Sequence, residues 1–102
     1  MDLALTEYMD AIQKDYDKFN SKVDQSVYKN PNPRLNITTS RGSKFIKIIV
    51  GSGVHSFVCC KAHDQWQVGD ILKAASWSAP AKNFIRGNVL SKQYDSLRWT
   101  GV

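Results

Sequence analysis

Apolar residues Leu5, Met9, Ile12, Tyr16, Phe19 and Val23 recur at alternating intervals of four and three. That is the stripe of an amphipathic helix, and it predicts one over residues 1–26. Neither glycine nor proline interrupts the run before Pro31. Three heptads do not by themselves require a coiled coil, so the stripe either lies across a sheet of the same chain or pairs with a second copy. The segment "NPNPRLN" then ends the helix, because Pro31 and Pro33 favour extended backbone at the residues before them.

Beyond it the apolar period changes to two. "RLNITTS" alternates Leu35 and Ile37 with polar neighbours, and "SKFIKIIV" sets Ile46, Ile48 and Val50 on one face against Phe45, Lys47 and Ile49. "GSG" at 51–53 is a tight turn. "VHSFVCCKA" runs back with either Val54, Ser56, Val58 and Cys60 or His55, Phe57 and Cys59 turned inward. "HDQWQVGD" is a second turn, and "ILKAASW" a further strand. Such short connections make antiparallel hairpins, since a parallel return needs a long crossover.

The expected fold is α+β: a long N-terminal amphipathic helix packed on a three- to four-stranded antiparallel sheet, with a short C-terminal helical turn. Residues 1–102 form a single domain, with the helix at 1–26, the meander at 34–77 and a basic C-terminal segment at 78–102. The helical turn is expected in "AKNFIRGN" after Pro80, ended by Gly87, and would bring Lys82 and Arg86 onto one face. Trp77 and Phe84 read as ring anchors holding that segment to the sheet. The tail carries Leu97 and Trp99, which either add an edge strand or tuck under the helix.

No stretch approaches the ~18 apolar residues of a membrane span. The first twenty residues carry acids throughout and lack the basic start and apolar run of a secretory signal. A cytoplasmic protein without membrane contact is expected. The two cysteines, Cys59 and Cys60, are adjacent and point to opposite faces of a strand, so they do not bond each other, which suits a reducing compartment.

Charge divides unevenly. Residues 1–26 hold six acids against three lysines, a net of −3, whereas residues 27–102 hold eleven basic residues against three acids, a net of +8. A strongly basic body suggests an anionic partner, while the acidic helix neutralises part of that charge.

Chemistry beyond binding finds little support. His55, Cys59, Cys60 and His63 are of metal-ligating type, but they lie along one strand and its end with the cysteines diverging, so neither a metal nor another cofactor is expected. His55 and His63, eight residues apart, share strand parity, and with Lys61 they offer the parts of a metal-independent ribonuclease. "GSGVHS" follows a strand without opening a helix and lacks the lysine of a phosphate loop.

The binding signal is broader. Arg41, Lys44 and Lys47 sit in the first hairpin, Lys61 and Lys73 in the second, and Lys82, Arg86, Lys92 and Arg98 beyond. Trp66, Trp77, Phe84, Tyr94 and Trp99 are interleaved with them. Cations for phosphates beside rings for bases are what single-strand and RNA recognition uses. The candidate binding residues are Lys44, Lys47, Lys73, Lys82 and Arg86 for phosphates, with Trp77 stacking or positioning the loop.

The run "GDILKAASWSAPAKNFIRGN", with "KFIKIIVGSGVHSFV" ahead of it, resembles a group of small, mostly uncharacterised proteins encoded by tailed bacteriophages. They share a short strand core followed by a lysine, a tryptophan, "APAK" and "RGN". The similarity covers about residues 44–88 and is most distinctive from Lys73 to Asn88. The helix and the tail from Val89 lie outside it. The resemblance implies phage origin and expression in the host bacterial cytoplasm, and carries no activity with it. The expected function is therefore a non-enzymatic phage accessory protein that binds nucleic acid, RNA or DNA. The alternative is an inhibitor or modulator of a host protein such as a defence enzyme, with a metal-independent ribonuclease behind both.

Overall fold

Tyr8 and Ile12 are fully buried, and Leu5 and Tyr16 nearly so. They set the inner face of helix α1, Asp2–Lys22, in the computed structural model, which describes residues 1–22, 34–82 and 84–102. Asp2 in the first turn complements the positive end of the helix. The face is rotated from the expected stripe: Met9 is half-buried and Phe19 is 46% exposed. Tyr8 belongs inside because its hydroxyl finds a partner there, the hydroxyl of Ser56 at 2.7 Å. Val23 and the two prolines expected to end the helix lie outside the described residues.

Five antiparallel strands follow in sequence order across one sheet: β1 Ile37–Arg41, β2 Phe45–Val50, β3 Gly53–Cys59, β4 Asp70–Lys73 and β5 Gly87–Asn88. The chain is α+β with its N-terminal helix on an antiparallel sheet, and β5 is the strand beyond the expected three or four. Leu5, Tyr8 and Ile12 pack on Ile46 and Ile48 of β2, Val58 of β3 and Ile71 of β4, with Val89 and Leu97 closing the cluster. Removing this helix–sheet seam from water stabilises the fold by ~25 cal/mol per Å² of apolar surface buried. Gln13 of the helix also accepts the backbone N–H of Leu35 at 2.8 Å, which fixes where the chain enters β1.

The choice between the two inward faces of β3 is resolved by a bulge. Ile48 stands opposite Ser56 but Ile49 opposite Val54, so His55 is the extra residue. His55 and Ser56 both turn towards the helix and bond each other at 2.8 Å, after which Phe57 returns to the other face. Every residue from His55 to Cys59 is buried as a result.

On the side away from the helix, Cys59 and Leu72 pack with Phe45 beneath Trp66, which the β3–β4 connection folds over them. Cys60 instead packs with the helix-side cluster, and both thiols are free.

The helical turn expected after Pro80 does not form in the described residues. Ala74 bridges Pro80, the Ala81 N–H donates to the Lys73 carbonyl at 2.7 Å, and the Arg86 N–H donates to the Ile71 carbonyl at 2.7 Å. Cross-strand partners thus claim the amides that a helix would need. The chain makes a hairpin with Trp77 near its tip, and Arg86 later leads it into β5. Gly87 is required at its place, because a Cβ there would collide with the backbone carbonyl of Gln93.

The tail tucks under the helix. The Trp99 ring lies 5.0 Å from the Tyr16 ring and 5.3 Å from that of Phe19, and the Trp99 backbone N–H donates to the Asp15 carboxylate at 2.9 Å. Lys92 pairs with Glu7 at 2.9 Å, and Arg41 of β1 with Asp2 at 3.4 Å, so helix acids do neutralise part of the basic body. Among the described residues no helix is long and apolar enough to cross a membrane.

Candidate nucleic-acid interface

Cross-strand partners share a face of the sheet, so the register sorts the cations. Lys47 pairs with Phe57 and Phe57 with Leu72, all on the face away from the helix. Asp70 pairs with Asn88 on that same side, which carries Arg86, two residues before Asn88, with it. Lys73 pairs with Ser56, which turns to the helix, so Lys73 belongs to the opposite face beside His55 and Arg98. Lys82 is exposed just past the hairpin rather than on a helical face with Arg86.

The β1–β2 end of the helix-free face holds a groove of about 300 Å³. Lys44, Lys47, Phe45 and the buried Phe57 line it and Pro80 of the hairpin borders it; Arg41 touches its edge but pairs with Ile46 on the helix side and with Asp2 of the helix. No carboxylate is among its described lining residues. The two phenylalanines meet edge to face at 6.2 Å. Trp77 is not the core anchor expected: it is 55% exposed, with the Lys47 ammonium 4.4 Å from its ring centre. The cation holds the ring on the surface instead of letting it swing free.

Phe84 repeats the arrangement at the other end. Its ring is 52% exposed and the Arg86 guanidinium stands 3.9 Å from its centre. Phe84 and Arg86 line a wide, open cavity of about 930 Å³ between β5 and the 88–96 segment. Asn88 builds one wall, donating to the Val68 carbonyl and the Asp70 carboxylate and accepting the Leu90 N–H. The other Asp70 oxygen accepts the Gln67 N–H at 2.7 Å. Of "RGN", the glycine and asparagine are therefore structural, and the arginine is the member left facing the cavity.

The histidines do not converge. His55 is buried on the helix side, where its Nε2 lies 2.7 Å from the Arg98 carbonyl. A carbonyl only accepts, so Nε2 donates, Nδ1 accepts the Ser56 hydroxyl, and Ser56 in turn accepts from Tyr8. Burial holds His55 below the usual histidine range, partly countered by the bond to Arg98, and pushes the Tyr8 hydroxyl up. His63 sits on the opposite face, with its ring 5.2 Å from Phe45 and its Nδ1 2.6 Å from the Lys61 carbonyl. The expectation that they share a side fails because the bulge at His55 shifts the strand parity between them. Burial also raises the Cys59 thiol, which bonds the Lys61 carbonyl. No metal-binding cluster occurs among the described residues.

Sequence reasoning points to Lys44, Lys47, Trp77 and Arg86 but passes over Phe45 and Phe57 as site residues. Phe45 carries its signal in the alternation, sharing strand parity with Lys47 on the face opposite Ile46, whereas Phe57 reaches that face only through its pairing with Lys47.

Fold and site together define a small α+β protein with one sheet face sealed by an acidic helix and the other carrying cations and rings. The chain belongs to DUF7717, a family of unknown function, whose pattern matches residues 3–101. No curated protein and no solved structure matches the chain.

Proposed function

We propose that this protein binds single-stranded nucleic acid across the helix-free face of its sheet, without catalysis. The observation that carries the proposal is the groove lined by Lys44 and Lys47 beside the half-buried Phe45, with Trp77 held half-exposed against Lys47. Each cation that neutralises a phosphate releases counterions, and each exposed ring offers about 1–3 kcal/mol of stacking to an unpaired base. A single strand fits better than a duplex because stacking needs bases out of a helix. Helix α1, moreover, carries acids that would repel a groove edge. Lys82 and Arg86 extend the basic track. The resemblance to tailed-phage proteins supports reading this activity as that of an accessory protein acting in a bacterial cytoplasm.

Fluorescence anisotropy with a labelled 12-nucleotide strand and the matching duplex tests the proposal. Tighter binding of the strand at low salt is expected. Equal or tighter binding of the duplex would overturn the single-strand preference, and no binding of either would overturn the function.

A further inference from the structure

We infer that the cavity lined by Phe84 and Arg86 is a nucleobase pocket that seats one unstacked base bearing an exocyclic amine; this rests on the single-strand proposal above. The cavity lies on the same face as the cationic groove, across three strand spacings from β2 to β5, or roughly 14 Å at ~4.8 Å each. One strand can therefore reach both.

Its chemistry differs from that of the groove. The groove is lined by Lys44 and Lys47 without a carboxylate, whereas here Asp70 and Asp95 line the walls with Arg86. A phosphate is repelled by such a wall, but a neutral base is not. Asp70 is already taken up by Gln67 and Asn88, which leaves the exposed Asp95 as the carboxylate that can accept from a ligand. The exposed side-chain amides of Gln67 and Gln93 flank it. The Phe84 ring, backed by the Arg86 guanidinium, supplies the stacking surface.

A carboxylate acceptor flanked by side-chain amides that can donate suits the edge of a base that both gives and takes hydrogen bonds. Cytosine, guanine and adenine present an amine to a carboxylate, whereas thymine and uracil present carbonyl oxygens at that position. The pocket thus favours amino-bearing bases.

Anisotropy titrations of the whole chain with labelled dC12 and dT12 test this. The expected result is about tenfold tighter binding of dC12. Phe84→Leu should weaken dC12 by about tenfold, the loss of one stacked base. Asp95→Asn should bring the dC12-to-dT12 ratio close to one while leaving the salt dependence unchanged. Both substitutions are at exposed positions, and circular dichroism confirms that the variants fold. If both oligonucleotides bind equally, or neither variant departs from wild type, the pocket is refuted while the groove stands. If neither oligonucleotide binds, both proposals fall.

Discussion

The Lys47 ammonium lies 4.4 Å from the centre of the Trp77 ring, joining β2 to a hairpin tip thirty residues further along the chain. A ring left 55% exposed would ordinarily sample several rotamers. Against a cation it has one favoured place, and the pair forms a prepared surface instead of a loose side chain. Lys47→Met should therefore free Trp77, lowering fold stability by no more than about 1 kcal/mol. The change should appear as a fall in the steady-state fluorescence anisotropy of Trp77, measured with Trp66 and Trp99 replaced by phenylalanine.

The chain Tyr8–Ser56–His55–Arg98 ties helix, bulge and tail through three successive hydrogen bonds. Ser56→Ala strands two buried partners at once, Tyr8 and His55, whereas Tyr8→Phe removes one donor to Ser56. At about 1–3 kcal/mol for each buried unsatisfied group, Ser56→Ala should be the more destabilising in urea denaturation.

Protonation should act through the same chain. The folded protein holds His55 below its ordinary value of 6.5, so the neutral ring is favoured in the native state. This contribution is complete above pH 6.5. It declines as pH falls through 6.5, where the unfolded chain takes up a proton that the native ring refuses, and levels off once the native ring protonates. The slope is at most about 1.4 kcal/mol per pH unit for one proton. Thermal midpoints measured from pH 7.5 to 5.5 should fall for the wild type and be flatter for His55→Gln.

Two glycines separate a structural need from mere turn preference. A Cβ at Gly87 meets the Gln93 backbone, at φ +155°, while one at Gly53 meets nothing within 4 Å. Gly87→Ala should cost more than about 2 kcal/mol, and Gly53→Ala should change stability by about 0.5 kcal/mol or less, in chemical denaturation.

Much of this is legible in the apolar periods. The change from heptad spacing to alternation marks the helix and the meander, and the Ile46–Ile48 face is the helix-side face of β2. Other features are not legible, most of them because they depend on partners distant in sequence. The bulge at His55 is fixed by a register against β2, so strand parity alone leaves the inward face of β3 open and misleads on the pairing of His55 with His63. The Ala81 and Arg86 amides are claimed by Lys73 and Ile71, which local propensity cannot foresee. Lys73 and Arg86 look alike in sequence, yet cross-strand pairing puts them on opposite faces. Trp77 and Phe84 read as buried anchors because large rings usually are; here cations hold them at the surface.

The central claim, that Lys44 and Lys47 neutralise phosphates of a bound strand, is tested most directly by its salt dependence. For a labelled single strand, log K should fall linearly with log salt. Lys44→Ala with Lys47→Ala should reduce that slope by about 1.4, or ~0.7 for each phosphate no longer neutralised. An unchanged slope in the double variant, or no binding by the wild type at low salt, would contradict the account.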